Sequence, residues 1–319
     1  MAASYERIHY GLRPAKNVQR KMLAEAFRRL SEFGSLESYR YVGLGSPYFN
    51  DFILFHKSLG IRQMISIERD VGNRRRFEFN RPFNCVQMNF GESTEVLPRL
   101  SWLTKTILWL DYDGTLEPSV FADVKLFCAS AVSGSVLIVT VNAEPVQLDP
   151  DVPRVLELQN RLGRERVPPE LTEEDLTQWG TARVYRRILT SHILETLAER
   201  NGGLSRENKF EFMQLFYFCY KDGSDRMLTV GGLVYEKGQS TNVAKCGFDL
   251  LSFVRDGHRR KTPCLIDVPK LTYKEMRYLD RQLPRNKKGR LAVPKVPAAD
   301  VKTYERIYRY FPTFAEAEL

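Results

Sequence analysis

The chain has little sulfur or imidazole with which to do chemistry. Its five cysteines, Cys85, Cys128, Cys219, Cys246 and Cys264, are odd in number, far apart and mostly set in apolar stretches such as Phe216-Tyr-Phe-Cys-Tyr220. With no Cys-x-x-Cys pair and no nearby histidine they offer neither a zinc site nor a disulfide framework, and they read as buried reduced thiols. The four histidines, His9, His56, His192 and His258, are isolated, with no spacing for a metal cluster or a Ser/His/Asp triad, so packing or surface roles are expected of them. No apolar run approaches the roughly 20 residues that span a bilayer, and Met1-Ala-Ala-Ser-Tyr-Glu-Arg7 lacks the apolar segment of a signal peptide. A soluble, cytoplasmic protein with no membrane partner is expected.

What is present is a globular composition: 319 residues, 43% hydrophobic and 12% aromatic, enough for a large core. The formal charge of +9 favours an anionic partner, RNA or DNA among them, because a basic surface attracts polyanions. Val18, Met22, Leu23, Ala26, Phe27 and Leu30 recur at helical spacing after Pro14, which predicts an amphipathic helix over Pro14 to Phe33. A strand–helix alternation follows. Strands are expected at Arg40 to Gly45, Gln63 to Glu68, Asn84 to Met88, Thr106 to Asp111 and Ser135 to Val141. Helices are expected at Phe49 to Leu59, Asn73 to Phe79, Ser93 to Trp102 and Val120 to Val132.

This order predicts an α/β fold, a doubly wound and mostly parallel sheet. Phe210 to Lys221 and Arg226 to Glu236, joined by Asp222-Gly-Ser-Asp225, read as a closing antiparallel hairpin. Between the last parallel strand and this hairpin, residues 144–208 break the rhythm with Pro145, Pro150, Pro153, Pro168 and Pro169 and then a helical stretch from Thr181 to Arg200, which reads as an inserted, mainly helical segment and a candidate lid. The main domain is expected to span 1–262. Residues 263–319 read as a small helical or winged-helix C-terminal appendage.

These residues resemble the class I S-adenosylmethionine-dependent methyltransferases over Arg40 to about Glu236. Tyr41-Val-Gly-Leu-Gly-Ser46 looks like that superfamily's first glycine motif, where Gly43 and Gly45 would let backbone approach the methionine part of the cofactor without a Cβ in the way. The chain departs from the family in carrying Tyr41 where an acidic residue often stands. A nicotinamide-binding fingerprint is disfavoured, because Gly43-Leu-Gly-Ser-Pro-Tyr48 lacks its third glycine. By the same resemblance Glu68, at the end of the second strand, would grip the ribose hydroxyls, a task a carboxylate performs through charge-assisted bonds; otherwise it is a solvated residue of Glu68-Arg-Asp70. Asn89 and Phe90 in Met88-Asn-Phe-Gly91 would hold the adenine, or else Asn89 and Gly91 are only the turn before the next helix.

Leu110-Asp-Tyr-Asp-Gly114 brings Asp111 and Asp113 to the carboxyl edge of the sheet, where open α/β sheets bind ligands. They are the candidate catalytic residues, as general base or metal ligands, against a structural Asx-turn. The string also resembles that of haloacid-dehalogenase-type phosphatases, but there it usually follows the first strand, whereas three strands precede it here. Asp111 with Asn142 loosely matches the metal ligands of catechol-type O-methyltransferases. There is no Asp/Asn-Pro-Pro-Tyr string and no Pro-Cys nucleophile, which demotes ordinary DNA-base methylation.

Lys16 and Arg20, four apart on one helix face, could cooperate on an anion or carboxylate. Arg74-Arg-Arg76, Arg259-Arg-Lys261 and Lys287-Lys-Gly-Arg290 could form a phosphate-binding surface if folding gathers them. Two functions remain open on this reading. One is methyl transfer from S-adenosylmethionine to an oxygen or nitrogen of an unidentified acceptor; the other is a catalytically inactive, methyltransferase-like nucleic-acid-binding or scaffolding subunit of a larger assembly.

Overall fold

The computed structural model describes residues 13–145, 149–256, 261–285 and 291–312. Eight strands form one sheet: β1 (Arg40–Leu44), β2 (Gln63–Glu68), β3 (Val86–Phe90), β4 (Thr106–Asp111), β5 (Ser135–Asn142), β6 (Phe210–Asp222), β7 (Asp225–Glu236) and β8 (Cys264–Ile266). Their order is β3-β2-β1-β4-β5-β7-β6-β8. The first five are parallel, and β7 runs against both β5 and β6. The carboxyl ends of β1 to β5 therefore share one edge, with the chain turning back at β1, where ligands of such sheets bind.

Helices α1 (Pro14–Arg28) and α2 (Asn50–Leu59) cover one face of the sheet. Their apolar stripes meet Trp109, Val136, Ile138, Phe216 and Phe218 from the strands. Phe27 lies edge-on to Phe55 at 5.3 Å, and Tyr41 edge-on to Phe52 and Phe55 at 5.0 Å, each such pair worth about 0.5–1.5 kcal/mol beyond its area. Next along the chain come α3 (Arg74–Asn80), the short α4 (Ser93–Val96) and α5 (Pro118–Ser130). The helix expected to run on to Trp102 stops early because the chain passes into a 3-10 turn at Leu97–Arg99 around Pro98.

The segment 144–208 is mainly helical, with α6 (Arg154–Leu162) and α7 (Gly180–Arg200). Ala182, Tyr185, Ile188, Leu189, Ile193 and Leu197 of α7 are buried in the core on the second face, together with α5 and the inward residues of β4, β5 and β7. Residues 180–200 are thus a covering layer of the sheet and not a lid over its edge. The apolar residues of α7 recur at helical spacing, but that spacing does not say which surface the helix covers, and the buried face is completed by Thr181 and Thr196.

Beyond β7, α8 (Ser240–Lys245) leads to β8, which adds to the sheet through Phe218↔Cys264, Cys219↔Leu265 and Tyr220↔Ile266. The last helices, α9 (Tyr273–Asp280) and α10 (Ala298–Ile307), meet around Leu279, Leu291, Val301 and Tyr304, and Tyr304 donates to Asp280 at 2.8 Å. The tail also rests on α1: Arg309 pairs with Glu25 at 3.0 Å and Lys21 donates to the Phe311 carbonyl at 3.1 Å. All five cysteines are free thiols, three of them buried. His56 and His192 hydrogen-bond the carbonyls of Ile61 and Phe121 at 2.8 and 3.0 Å; His9 and His258 lie outside the described residues. No helix among the described residues is long and apolar enough to cross a membrane.

Candidate active site

The carboxyl edge has two halves. In the first, parallel register sets Gly43 beside Ser66, Ile67 beside Asn89 and Glu68 beside Phe90, gathering Gly43, Gly45, Glu68, Asn89 and Phe90 at the ends of three adjacent strands. The N–H of Gly45 donates to the Ile67 carbonyl at 2.5 Å. A Cβ at this position would fall 2.8 Å from Glu68 Oε2 and 3.0 Å from the Ile67 carbonyl, so only glycine lets the Glu68 carboxylate lie against the end of β1. Glu68 is buried at 7% exposure and accepts from the Asp70 N–H at 2.8 Å, and its own carbonyl accepts from the Gly91 N–H at 3.0 Å. Burial pushes its carboxyl up to about 7.

Asn89 and Phe90 belong to β3 itself, two residues beyond the strand end expected from sequence. Asn89 Oδ1 accepts from Gln87 Nε2 at 3.2 Å, and the Arg74 guanidinium stands 4.4 Å over the Phe90 ring. Gly43 serves a different neighbour from the one its motif implies: a Cβ there would meet Tyr41 Oη at 2.7 Å. The phenol arches over the glycine and donates to the carboxylate of Asp51, in the first turn of α2. A carboxylate therefore stands beside the glycine motif after all, supplied by α2 and held by Tyr41, which occupies the place of the acidic residue.

The second half lies at β4 to β7. Strand alternation sends Asp111 to the α1 side and Tyr112 to the α5 side. Lys16 Nζ lies 2.5 Å from Asp111 Oδ1, donates to Tyr220 Oη at 3.1 Å and sits 4.7 Å over the Trp109 ring. Lys16 is 2% exposed against 27% for Asp111, so the ammonium is the buried partner and the carboxylate the one that reaches the edge. Burial holds the Lys16 ammonium below the ordinary lysine range, with Asp111 pulling it back up. On the opposite face Tyr112 and Ser93 both donate to buried Asp123, at 2.5 Å each, pinning the loop after β4 to α4 and α5.

Arg13 pairs with Asp222 at 3.1 Å, and Glu144 takes both the N–H and the guanidinium of Arg226, at 2.8 and 2.6 Å. Asn142 Oδ1 accepts from the Glu144 N–H at 2.7 Å. Asp113 is exposed on the loop beyond Asp111. Among the described residues, no three His, Cys, Asp or Glu side chains are grouped to hold a metal ion. Lys16 and Arg20 take different partners: Lys16 turns to Asp111, while Arg20, 4% exposed, lines a groove between α1 and α2. Arg74, Arg75 and Arg76 lie exposed on α3. Lys261 is exposed, while Arg259, Arg260, Lys287, Lys288 and Arg290 lie outside the described residues.

Strand order and edge together define an α/β methyltransferase fold. The chain belongs to the family described as "Putative O-methyltransferase", whose model matches residues 8–319. No curated protein matches it. Among solved structures it is similar to Trm1 from Pyrococcus horikoshii, solved with S-adenosyl-L-methionine, at 11% identity and a TM-score of 0.43, over 70% of this chain and 58% of that one. It is also similar to the N-methyltransferase NodS from Bradyrhizobium japonicum, at 7% identity and TM-score 0.39, over 69% and 97%. A third is the O-methyltransferase TomG from Streptomyces achromogenes, in complex with SAM, at 14% and 0.35, over 66% and 78%. The chain thus spans less than two thirds of the Trm1 chain and most of the other two.

Proposed function

We propose that this protein transfers the methyl group of S-adenosylmethionine to an oxygen of an acceptor seated at Asp111. The observation that carries the reading is Asp111 itself: a partly exposed carboxylate at the end of β4, held at 2.5 Å by a buried lysine, beside the cradle of Gly45 and Glu68. That cradle fits the cofactor, since the Glu68 carboxylate lies at the strand ends in the space a Cβ at Gly45 would fill. Glu68 would take the ribose hydroxyls, the backbone at Gly43 and Gly45 the methionine end, and Asn89 and Phe90 the adenine. When bound, the cofactor supplies an electrophilic methyl on a positively charged sulfur.

The chain's own part is to hold the acceptor in line and to take its proton. The group transferred to the acceptor oxygen would be the methyl that the bound cofactor supplies, whose sulfur would keep the electron pair of the bond it gives up. The acceptor's proton passes to the Asp111 carboxylate. Lys16 fixes the rotamer of Asp111 through Oδ1 and touches no substrate, so it is a positioning residue. The test is a calorimetric titration with S-adenosylhomocysteine, followed by transfer of labelled methyl to a panel of hydroxyl acceptors. Absence of binding by folded protein at millimolar ligand would sink the reading and leave the non-catalytic subunit as the better account.

Support for a nucleic-acid acceptor comes from α3. Arg74, Arg75 and Arg76 project from it with Phe79, 88% exposed, and Arg81 follows the helix, so cations and an aromatic face share one surface next to β3. Such a mixture suits phosphates and unstacked bases. It is tested by the salt dependence of RNA and DNA binding.

A further inference from the structure

One cation in the α1–α2 layer has donors that none of the described residues uses. Arg20 is 4% exposed, and among the described residues its Nε and Nη1 are buried with no hydrogen-bond partner, as is Nδ2 of Asn50. Both residues line a groove of about 340 Å³ between α1 and α2, whose other polar walls are Asn17, Lys21, Lys57 and Ser58, with Ile53 and Leu54 as apolar floor. Among the described residues, no carboxylate lines it. Nε of Arg13, Arg40, Arg161 and Arg226 is also buried without a hydrogen bond, but each of those guanidiniums has a partner, Asp222, Thr106, Tyr185 and Glu144 in turn, as Lys16 has Asp111 and Arg200 the carbonyls of Cys128 and Ala131. The carboxylate that acts on Arg20, Asp51, receives the Tyr41 hydroxyl and makes no ion pair with Arg20 within 4.0 Å.

A buried guanidinium with unused N–H groups is costly unless something completes it. Beside its apolar floor the groove offers guanidinium, amide and ammonium donors, with Lys21 and Ser58 already engaged by the Phe311 and Leu54 carbonyls, and no carboxylate among the described residues, which is the chemistry of a site for a carboxylate or phosphate group. We infer that Arg20 and Asn50 form an oxyanion subsite beside the Tyr41–Asp51 pair, lining the α1–α2 groove together with Lys57. The oxyanion has two possible sources, the amino-acid carboxylate of the methyl donor or a phosphate of the acceptor. The first rests on the donor reading above, and the second does not.

Three probes separate these sources: S-adenosylhomocysteine, 5′-methylthioadenosine, which keeps the nucleoside and lacks the carboxylate, and inorganic phosphate. Each is titrated into the full chain and into Arg20→Gln, with thermal melting to establish folding. Loss of roughly ten- to a hundredfold in affinity for S-adenosylhomocysteine, with methylthioadenosine unchanged, identifies the carboxylate as the occupant. The same loss for phosphate, with both nucleosides unchanged, identifies a phosphate. Asn50→Ala removes no buried charge, should weaken the same probe about three- to tenfold, and decides the matter if Arg20→Gln does not fold. Unchanged affinity for all three probes in a folded variant would overturn the subsite. Failure of the parent protein to bind either nucleoside would sink the donor reading, while the phosphate titration would still decide this one.

Discussion

The two halves of the carboxyl edge are built in different ways. The donor half is assembled by adjacency: Gly43, Gly45, Glu68, Asn89 and Phe90 come from three neighbouring parallel strands, fixed by register and by backbone bonds such as Gly45 to Ile67. The acceptor half is assembled by charge across the chain: Lys16 reaches Asp111, Arg13 reaches Asp222 and Glu144 reaches Arg226. A ligand cradle made by backbone tolerates little variation in side-chain size but needs few charges. A reacting centre made of ion pairs depends on both partners of each pair, and losing one leaves the other stranded. The two halves should therefore fail differently, the first in affinity and the second in turnover and stability.

The largest expected effect is on turnover. Asp111→Asn keeps shape and leaves an amide oxygen for Lys16, yet removes the proton acceptor, so the methylation rate should fall by about 10²- to 10⁴-fold with cofactor affinity unchanged. Parallel rate measurements and S-adenosylhomocysteine titrations check this. A full rate in Asp111→Asn would make Asp111 a structural residue and erase the functional contrast between the halves.

Next comes stability, where the asymmetric burial of the pair makes a directional prediction. Asp111→Ala strands an ammonium that is 2% exposed, whereas Lys16→Met strands a carboxylate that is 27% exposed and can still meet water. The first should cost about 3–5 kcal/mol at neutral pH and the second clearly less, by urea unfolding. Because burial already lowers the Lys16 pKa, its ammonium is the easier charge to lose, and raising the pH should narrow the gap between the two variants. Equal losses would mean that the two partners are equally solvated and that the burial asymmetry carries no energy.

The donor half is probed through Glu68, whose carboxyl stands at about 7 against an ordinary value of 4.5. A raised carboxyl pKa favours the folded state while the group is protonated. That contribution is complete below the unfolded value and is lost as pH rises through the folded one. Ionisation of Glu68 should thus cost the unliganded protein up to about 3 kcal/mol between pH 4.5 and 7, a loss absent in Glu68→Gln. Cofactor affinity should run the other way, falling as pH drops below about 7, because the ionised carboxylate is the form that accepts two hydroxyl protons. At pH 8, Glu68→Gln should weaken S-adenosylhomocysteine by about 1.5–3 kcal/mol. A pH-independent affinity in the parent protein would remove Glu68 from the ribose. Gly45→Ala tests the same contact from the other strand, since its Cβ would intrude 2.8 Å from Glu68 Oε2 and displace the carboxylate.

This division also explains what the sequence could disclose. β2 and β4 fall where their apolar runs end, and Gly45 and Glu68 can be paired on paper because both lie at predicted strand ends. Lys16 could be placed on a helix face, but not against Asp111, because nothing local to either residue encodes a contact made 95 positions away. The replacement of the missing acidic residue by Tyr41 and Asp51 was hidden for the same reason: the carboxylate arrives from the next helix. β8 is only three residues long, and its Cys-Leu-Ile run reads as a strand only beside the edge of β6. The helix over α7 is legible from the spacing of Ala182, Tyr185, Ile188, Leu189, Ile193 and Leu197, but not the surface it covers, because β4, β5 and β7 meet that stripe from elsewhere in the chain.

The smallest effect belongs to the basic surface, which lies next to the donor half and shares Arg74 with it. Arg74 stands over Phe90 and pairs loosely with Glu78 at 3.7 Å, so its charge is partly engaged, whereas Arg75 is exposed. If α3 contacts phosphates, Arg75→Ala should reduce the magnitude of the logarithmic salt slope of binding by about 0.9 for duplex DNA or about 0.7 for a single strand, through release of one fewer counterion. Phe79→Ala removes no charge and should leave that slope alone, while weakening single-stranded RNA by about 1–3 kcal/mol if the exposed ring stacks on a base. A change in slope without the stacking loss would mean phosphate contact alone. Identical curves for both variants and the parent would show that α3 is simply solvated, and the acceptor must then be sought among small molecules that reach Asp111 without crossing β3.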